Sequence, residues 1–103
     1  MASLTTESYY VGLPGPGWYH ISFQAPYLNT PFVVATVREA VLPPAGVISP
    51  PWTVYFRDIV LGTFDIVVQK GGAPVPPNRI NVPAGNAGQN QPIYVYWQAT
   101  GIR

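Results

Sequence analysis

The sequence predicts an all-β protein: a small antiparallel β-sandwich of about six strands, folded as a single domain over residues 1–103. Three observations carry this reading. Apolar and polar residues alternate in short blocks, the two-residue period of a half-buried strand. Thirteen prolines and ten glycines are spread along the whole chain, so no window long enough for a helix shows a 3.6-residue period. The aromatic and β-branched blocks lie towards opposite ends, at Trp18 to Val37 and at Ile93 to Gly101. They read as the first and last strands of one body.

Residues 1–17 read as an N-terminal arm rather than a core strand, polar at first and then aromatic at Tyr9 and Tyr10. The arm closes on a Leu13 to Gly17 turn, where proline fixes φ and glycine supplies positive φ. The first firm strand is Trp18 to Phe23, with Tyr19, Ile21 and Phe23 on one face and Trp18, His20 and Ser22 on the other. The second, Phe32 to Glu39, begins directly after Pro31, a position where proline is tolerated. A loop with Pro43-Pro44 and Pro50-Pro51 follows; such pairs favour extended polyproline backbone. Trp52 to Ile59 is the third strand, Val54 and Phe56 alternating with Tyr55 and Arg57. Leu61 to Thr63 forms a hairpin connection to the fourth, Phe64 to Gln69, with Phe64, Ile66 and Val68 inward. Residues 70–92 form a long loop rich in Gly, Pro, Asn and Gln, with a brief strand at Arg79 to Val82. Loops of this length are often functional or held by a partner. The last strand runs from Ile93 to Gly101, with Ile93, Val95, Trp97 and Ala99 on one face and Tyr94, Tyr96 and Gln98 on the other. Phe23, Val34, Phe56, Ile66 and Trp97 are expected to share one interior.

Composition narrows the function. Charged residues are 9% of the chain, against roughly 25% in ordinary soluble domains. So poor a complement of charge implies that part of the surface is covered, by copies of the chain first of all. The net charge is +1 and the five basic residues are scattered, so a nucleic-acid-tracking surface is not expected. There is no cysteine, hence no disulfide frame and no thiolate metal site. No basic region followed by an apolar run opens the chain, so no signal peptide is expected. No stretch reaches the ~20 apolar residues of a membrane-spanning helix.

Catalysis needs a positioned histidine or paired carboxylates. The chain offers His20, with Glu7, Glu39, Asp58 and Asp65, and no cofactor, metal site or enzymatic activity is expected from that inventory. Asp58 and Asp65 flank the hairpin turn and read as solvated acids; His20 reads as a hydrogen-bonded surface or interface residue.

Binding fits better. Aromatics are 14% of the chain, seven of them tyrosines, and Tyr and Trp suit half-wet contacts. Trp18, His20, Tyr94 and Tyr96 are candidates for an oligomer interface. Trp52, Tyr55 and Arg57, with the amides Asn78, Asn81, Asn86 and Asn90, are candidates for ligand contact. Two uses remain open for these groups: aromatics stack on a sugar or on a sister subunit, and Arg57 binds hydroxyls or pairs with Asp58, Asp65 or Glu39.

The order of strand signals resembles the H-type lectin domain, and the same order occurs in short domains at phage tail-fibre tips. The residues that carry it are Ile21 to Phe23 with Ala25 to Tyr27, Pro31 to Val34, Val54 to Arg57, Thr63 to Ile66, and Tyr94 to Trp97 with Ala99. The resemblance implies a six-stranded trimeric sandwich with sugars bound near subunit boundaries. Arg57 matches a family sugar-binding arginine. The aromatic and histidine stretch that precedes the family's last strand is replaced here by segment 70–92. The expected function is that of a virion component, made in a host cytoplasm: a trimeric tail-fibre or spike-tip domain that contacts host-surface glycan and other virion proteins. The alternative is a structural capsid decoration or tail-assembly protein without sugar binding.

Overall fold

The computed structural model describes residues 2–40, 45–46 and 51–103. Seven strands follow one another: β1 (Leu4–Leu13), β2 (Gly17–Ser22), β3 (Phe32–Glu39), β4 (Trp52–Arg57), β5 (Thr63–Lys70), β6 (Arg79–Val82) and β7 (Ile93–Ile102). No helix occurs among the described residues. The strands form a three-stranded sheet, β1-β7-β3, and a four-stranded sheet, β4-β5-β2-β6. All pairings are antiparallel except β2 with β6, which is parallel. The prolines at 43, 44 and 50 lie outside the described residues.

The arm is replaced by a strand. Residues 4–13 pair with the whole of β7, from Leu4 opposite Ile102 to Leu13 opposite Ile93. Val11 and Leu13 belong to the core. The polar start misled because it places an acid on the inner face. Glu7 is only 7% exposed, and its carboxylate is fully engaged. Its Oε1 accepts from the Tyr27 hydroxyl at 2.6 Å and from Arg103 Nη2, and Oε2 accepts the Gln24 amide at 3.0 Å. Arg103 also donates to the Ala25 carbonyl, and its guanidinium lies 4.2 Å from the Tyr27 ring centre. Burial first, and then the Glu7 carboxylate, push the Tyr27 phenol far above its ordinary pKa.

The inner faces meet in one apolar cluster that draws on both sheets, including Val11, Ile21, Phe64, Ile66, Val95 and Trp97. Its centre is aromatic: Phe64 and Trp97 pack edge to face at 5.0 Å, and Phe23 touches both. Four of the five residues expected inside join this body. Val34 does not, being 46% exposed while Val33 is 7% exposed. Phe32, Val33 and Val34 form an unbroken apolar run, so alternation cannot choose the face. The register does: Val33 lies opposite fully buried Ala99.

Segment 70–92 contains the expected brief strand, β6 at Arg79–Val82, and its later part runs along β1. The Gly12 amide donates to the Ala87 carbonyl at 2.7 Å, and Asn86 Oδ1 accepts the Tyr10 amide at 2.9 Å. An edge strand otherwise left with open hydrogen-bonding groups is thereby covered. Gly12 is required there, because a Cβ would overlap the Gly88 carbonyl.

Candidate functional site

Alternation along the four-stranded sheet sends one set of side chains to its outer wall. The register stacks them in two cross-strand rows. One row reads Arg57, Asp65, His20, Asn81; the next reads Tyr55, Val67, Trp18, Arg79. Each row takes one residue from β4, β5, β2 and β6 in turn. Directly opposed residues stand close enough to interact.

Asp65 is the hub of this wall. It is 1% exposed, although it belongs to the outer face, because its neighbours close over it. Its Oδ1 accepts from His20 Nδ1 at 2.6 Å, and Oδ2 accepts from Trp18 Nε1 at 2.9 Å. Arg79 Nη1 stands 3.6 Å from Oδ2. Burial drives this carboxyl upwards in pKa; the hydrogen bonds from His20 and Trp18 and the charges of His20 and Arg79 outweigh it. The net result is a value below the ordinary carboxylate range. An ionised carboxylate only accepts, so His20 Nδ1 carries the proton. Reading Asp65 as a solvated hairpin acid is therefore wrong. Asp58 fits that description, being exposed at the end of β4.

Trp18 stands between the two arginines. The guanidinium carbon of Arg57 is 4.7 Å from its ring centre and that of Arg79 is 5.9 Å away. Both distances lie within cation–π range. Arg57 has no carboxylate within ion-pair distance among the described residues. Glu39 is taken by Lys70, Asp65 by Arg79 and His20, and Glu7 by Arg103. Tyr55 is 48% exposed beside this group.

The His20–Asp65 pair has the geometry with which a carboxylate orients a histidine base. No hydroxyl or thiol hydrogen-bonds to His20 among the described residues, so the arrangement stops short of an activated nucleophile. No cluster of three metal-ligating side chains occurs among the described residues.

The opposite wall, on the β1-β7-β3 sheet, has a different character. Tyr10, Tyr94 and Tyr96 form a contiguous aromatic group, Tyr10 lying 6.2 Å and 6.0 Å from the other two rings. Arg38 lies 5.8 Å from the Tyr96 ring. Phe32, Val34, Tyr10 and Tyr96 are all exposed on this face. A shallow groove of about 420 Å³ runs between Tyr10, Val34, Asn86, Tyr96 and Gln98. A second, of about 350 Å³, adjoins it beside Arg38 and Asn90.

The structure thus regroups the residues singled out from the sequence. Tyr55, Arg57 and Asn81, expected at a ligand, share a wall with Trp18 and His20, expected at a subunit contact. Asn86 and Asn90 lie on the other wall with Tyr94 and Tyr96. Asn78 is exposed just before β6. Trp52 parts from Tyr55 and Arg57. It has the parity of Val54 and Phe56, packs against the core, and its indole donates to Glu39 Oε1 at 2.7 Å. Asp65 and Arg79 were missed as site residues. The available signal was that Trp18, His20, Asp65 and Arg79 all have outward parity; what lacked was the order of strands.

No protein-family model, curated protein or solved structure matches the chain.

Proposed function

We propose that this protein is a non-enzymatic recognition domain of a virion, similar to the H-type lectin-like domains of phage tail-fibre tips, that binds host-surface carbohydrate. The sugar contacts the wall formed by Tyr55, Arg57, Trp18 and Asn81. One observation carries the reading: two cross-strand rows on this outer wall combine aromatic side chains with donors around a buried, fully hydrogen-bonded carboxylate. Aromatic faces stack on the apolar face of a pyranose, while arginine and asparagine engage its hydroxyls. The opposite wall makes the contacts of a homotrimer, because it exposes Tyr10, Phe32, Val34 and Tyr96 together and carries Arg38 as its charged residue. Three copies convert weak single-site affinity into avidity.

A glycan array tests this reading. The assembled protein binds a defined set of glycans, and Arg57→Ala and Tyr55→Ala reduce the signal without changing the circular dichroism spectrum. Absence of binding to any glycan or host cell by a trimeric sample rejects it. The second reading, a capsid decoration or tail-assembly protein without a sugar ligand, draws on the same apolar wall. Electron microscopy of particles carrying labelled copies separates a fibre-tip position from a shell position.

A further inference from the structure

We propose that the ligand of the Trp18 wall is an acidic saccharide, whose carboxylate, sulfate or phosphate group is held by Arg57 and Arg79 across the Trp18 ring. This rests on the carbohydrate reading above and narrows it to a chemical class.

Donors dominate the wall. The Arg57 side chain has no carboxylate partner and no hydrogen bond among the described residues. Arg79 keeps a side chain 47% exposed and reaches Asp65 only at 3.6 Å, beyond hydrogen-bond distance. The indole N–H of Trp18 and the Nδ1–H of His20 are already spent on Asp65. Asp65 is the acceptor buried in the wall, and both of its oxygens are engaged. A guanidinium only donates. A ligand that satisfies Arg57 and Arg79 must therefore bring acceptors, and a planar or tetrahedral oxyanion matches the guanidinium fork better than scattered hydroxyls.

The charges agree. Arg57 and Arg79 flank Trp18, and Asp65 offsets one of them. The remaining acid nearby is Asp58, which follows Arg57 in sequence beyond the end of β4 and makes no ion pair with it. Tyr55, exposed beside this group, supplies the stacking surface for the sugar ring that carries the anion.

Matched probes separate charge from sugar. Two-dimensional NMR of the whole protein, recording arginine Nε–Hε and tryptophan Nε1–Hε1 signals, is titrated with sialyllactose against lactose. A second pair is oligogalacturonate against its methyl ester. Sodium sulfate alone serves as the free-ion arm. The expected result is at least tenfold tighter binding of the acidic member of a pair, with shifts at Arg57, Arg79 and Trp18. That preference falls about tenfold in Arg57→Gln and in Arg57→Lys, and weakens as salt rises. Arg38→Gln, on the far wall, leaves it unchanged. Equal binding of acidic and neutral members overturns the acidic assignment and keeps the carbohydrate reading. Binding of sulfate as tight as that of the acidic sugars overturns the saccharide part. No shift with any probe at tens of millimolar overturns the acidic assignment, and the glycan array then decides the carbohydrate reading separately.

Discussion

Asp65 shows what a single residue contributes here. A carboxylate removed from water needs partners for both oxygens, and it has them in His20 and Trp18. Asp65→Ala leaves two donors without an acceptor and is expected to cost about 3 kcal/mol, read from chemical denaturation. Trp18→Phe removes one of these bonds and should cost about 1 kcal/mol. The pH dependence follows from the lowered folded pKa of Asp65. Its contribution is complete above the unfolded value of ~3.9 and is lost as pH falls through the lower folded value. Wild-type stability should therefore drop in strong acid by more than that of Asp65→Asn; parallel acid-titration curves for the two proteins would refute this. None of it was readable from sequence. Asp65 beside a hairpin turn looks like a solvated acid, and its burial depends on three residues from two other strands. Val34 failed differently: within an apolar run, parity is undefined until a partner strand fixes it.

Among the elements, β1 and β7 carry the main lesson. The alternation of Ile93, Val95, Trp97 and Ala99 in β7 was legible because every second residue is apolar, while Tyr94, Tyr96 and Gln98 between them carry polar groups that suit the outer face. The same period exists in β1 at Tyr9, Val11 and Leu13, yet Thr5 and Glu7 occupy the inner positions before them. An inner glutamate becomes intelligible only once Tyr27 and Arg103 are known to meet it. Glu7→Ala should cost about 3 kcal/mol, since it strands a partly buried arginine, and differential scanning calorimetry would show it as a clear loss of melting temperature. The clamp along β1 is tested at Gly12. Gly12→Ala drives a Cβ into the Gly88 backbone, and the expected cost of about 1–3 kcal/mol appears as faster hydrogen exchange at the amide of residue 12 than in the wild type. Unchanged protection of that amide would mean that the clamp does not hold in solution.

For the whole molecule, two walls of opposite character flank one core. The general plan of short strands, aromatic outer faces and sparse charge was present in the alternation and composition. The assignment of residues to walls was not, because it depends on strand order: β2 is flanked by β5 and β6, and β7 by β1 and β3. No pattern in the chain states that order. The split makes a separable prediction. If the proposed trimer forms through the three-stranded wall, Val34→Lys and Tyr96→Lys dissociate it in light scattering while circular dichroism remains that of the native fold. Arg57→Ala, on the other wall, should leave the assembled mass unchanged. A monomeric wild-type protein at micromolar concentration would remove the basis for the first outcome.

One further property follows from the way β1 and β7 lie together. The Ser3 amide donates to the Arg103 carbonyl at 2.9 Å, and the Arg103 amide returns a bond to Ser3 at 3.1 Å. Backbones this close can be spliced by a few flexible residues, and the chain reopened at Gly71–Gly72, an exposed turn where both glycines have positive φ. Such a circular permutant should fold to the same body, and it would move any fused cargo from the shared seam of the two strands to the far side of the hairpin.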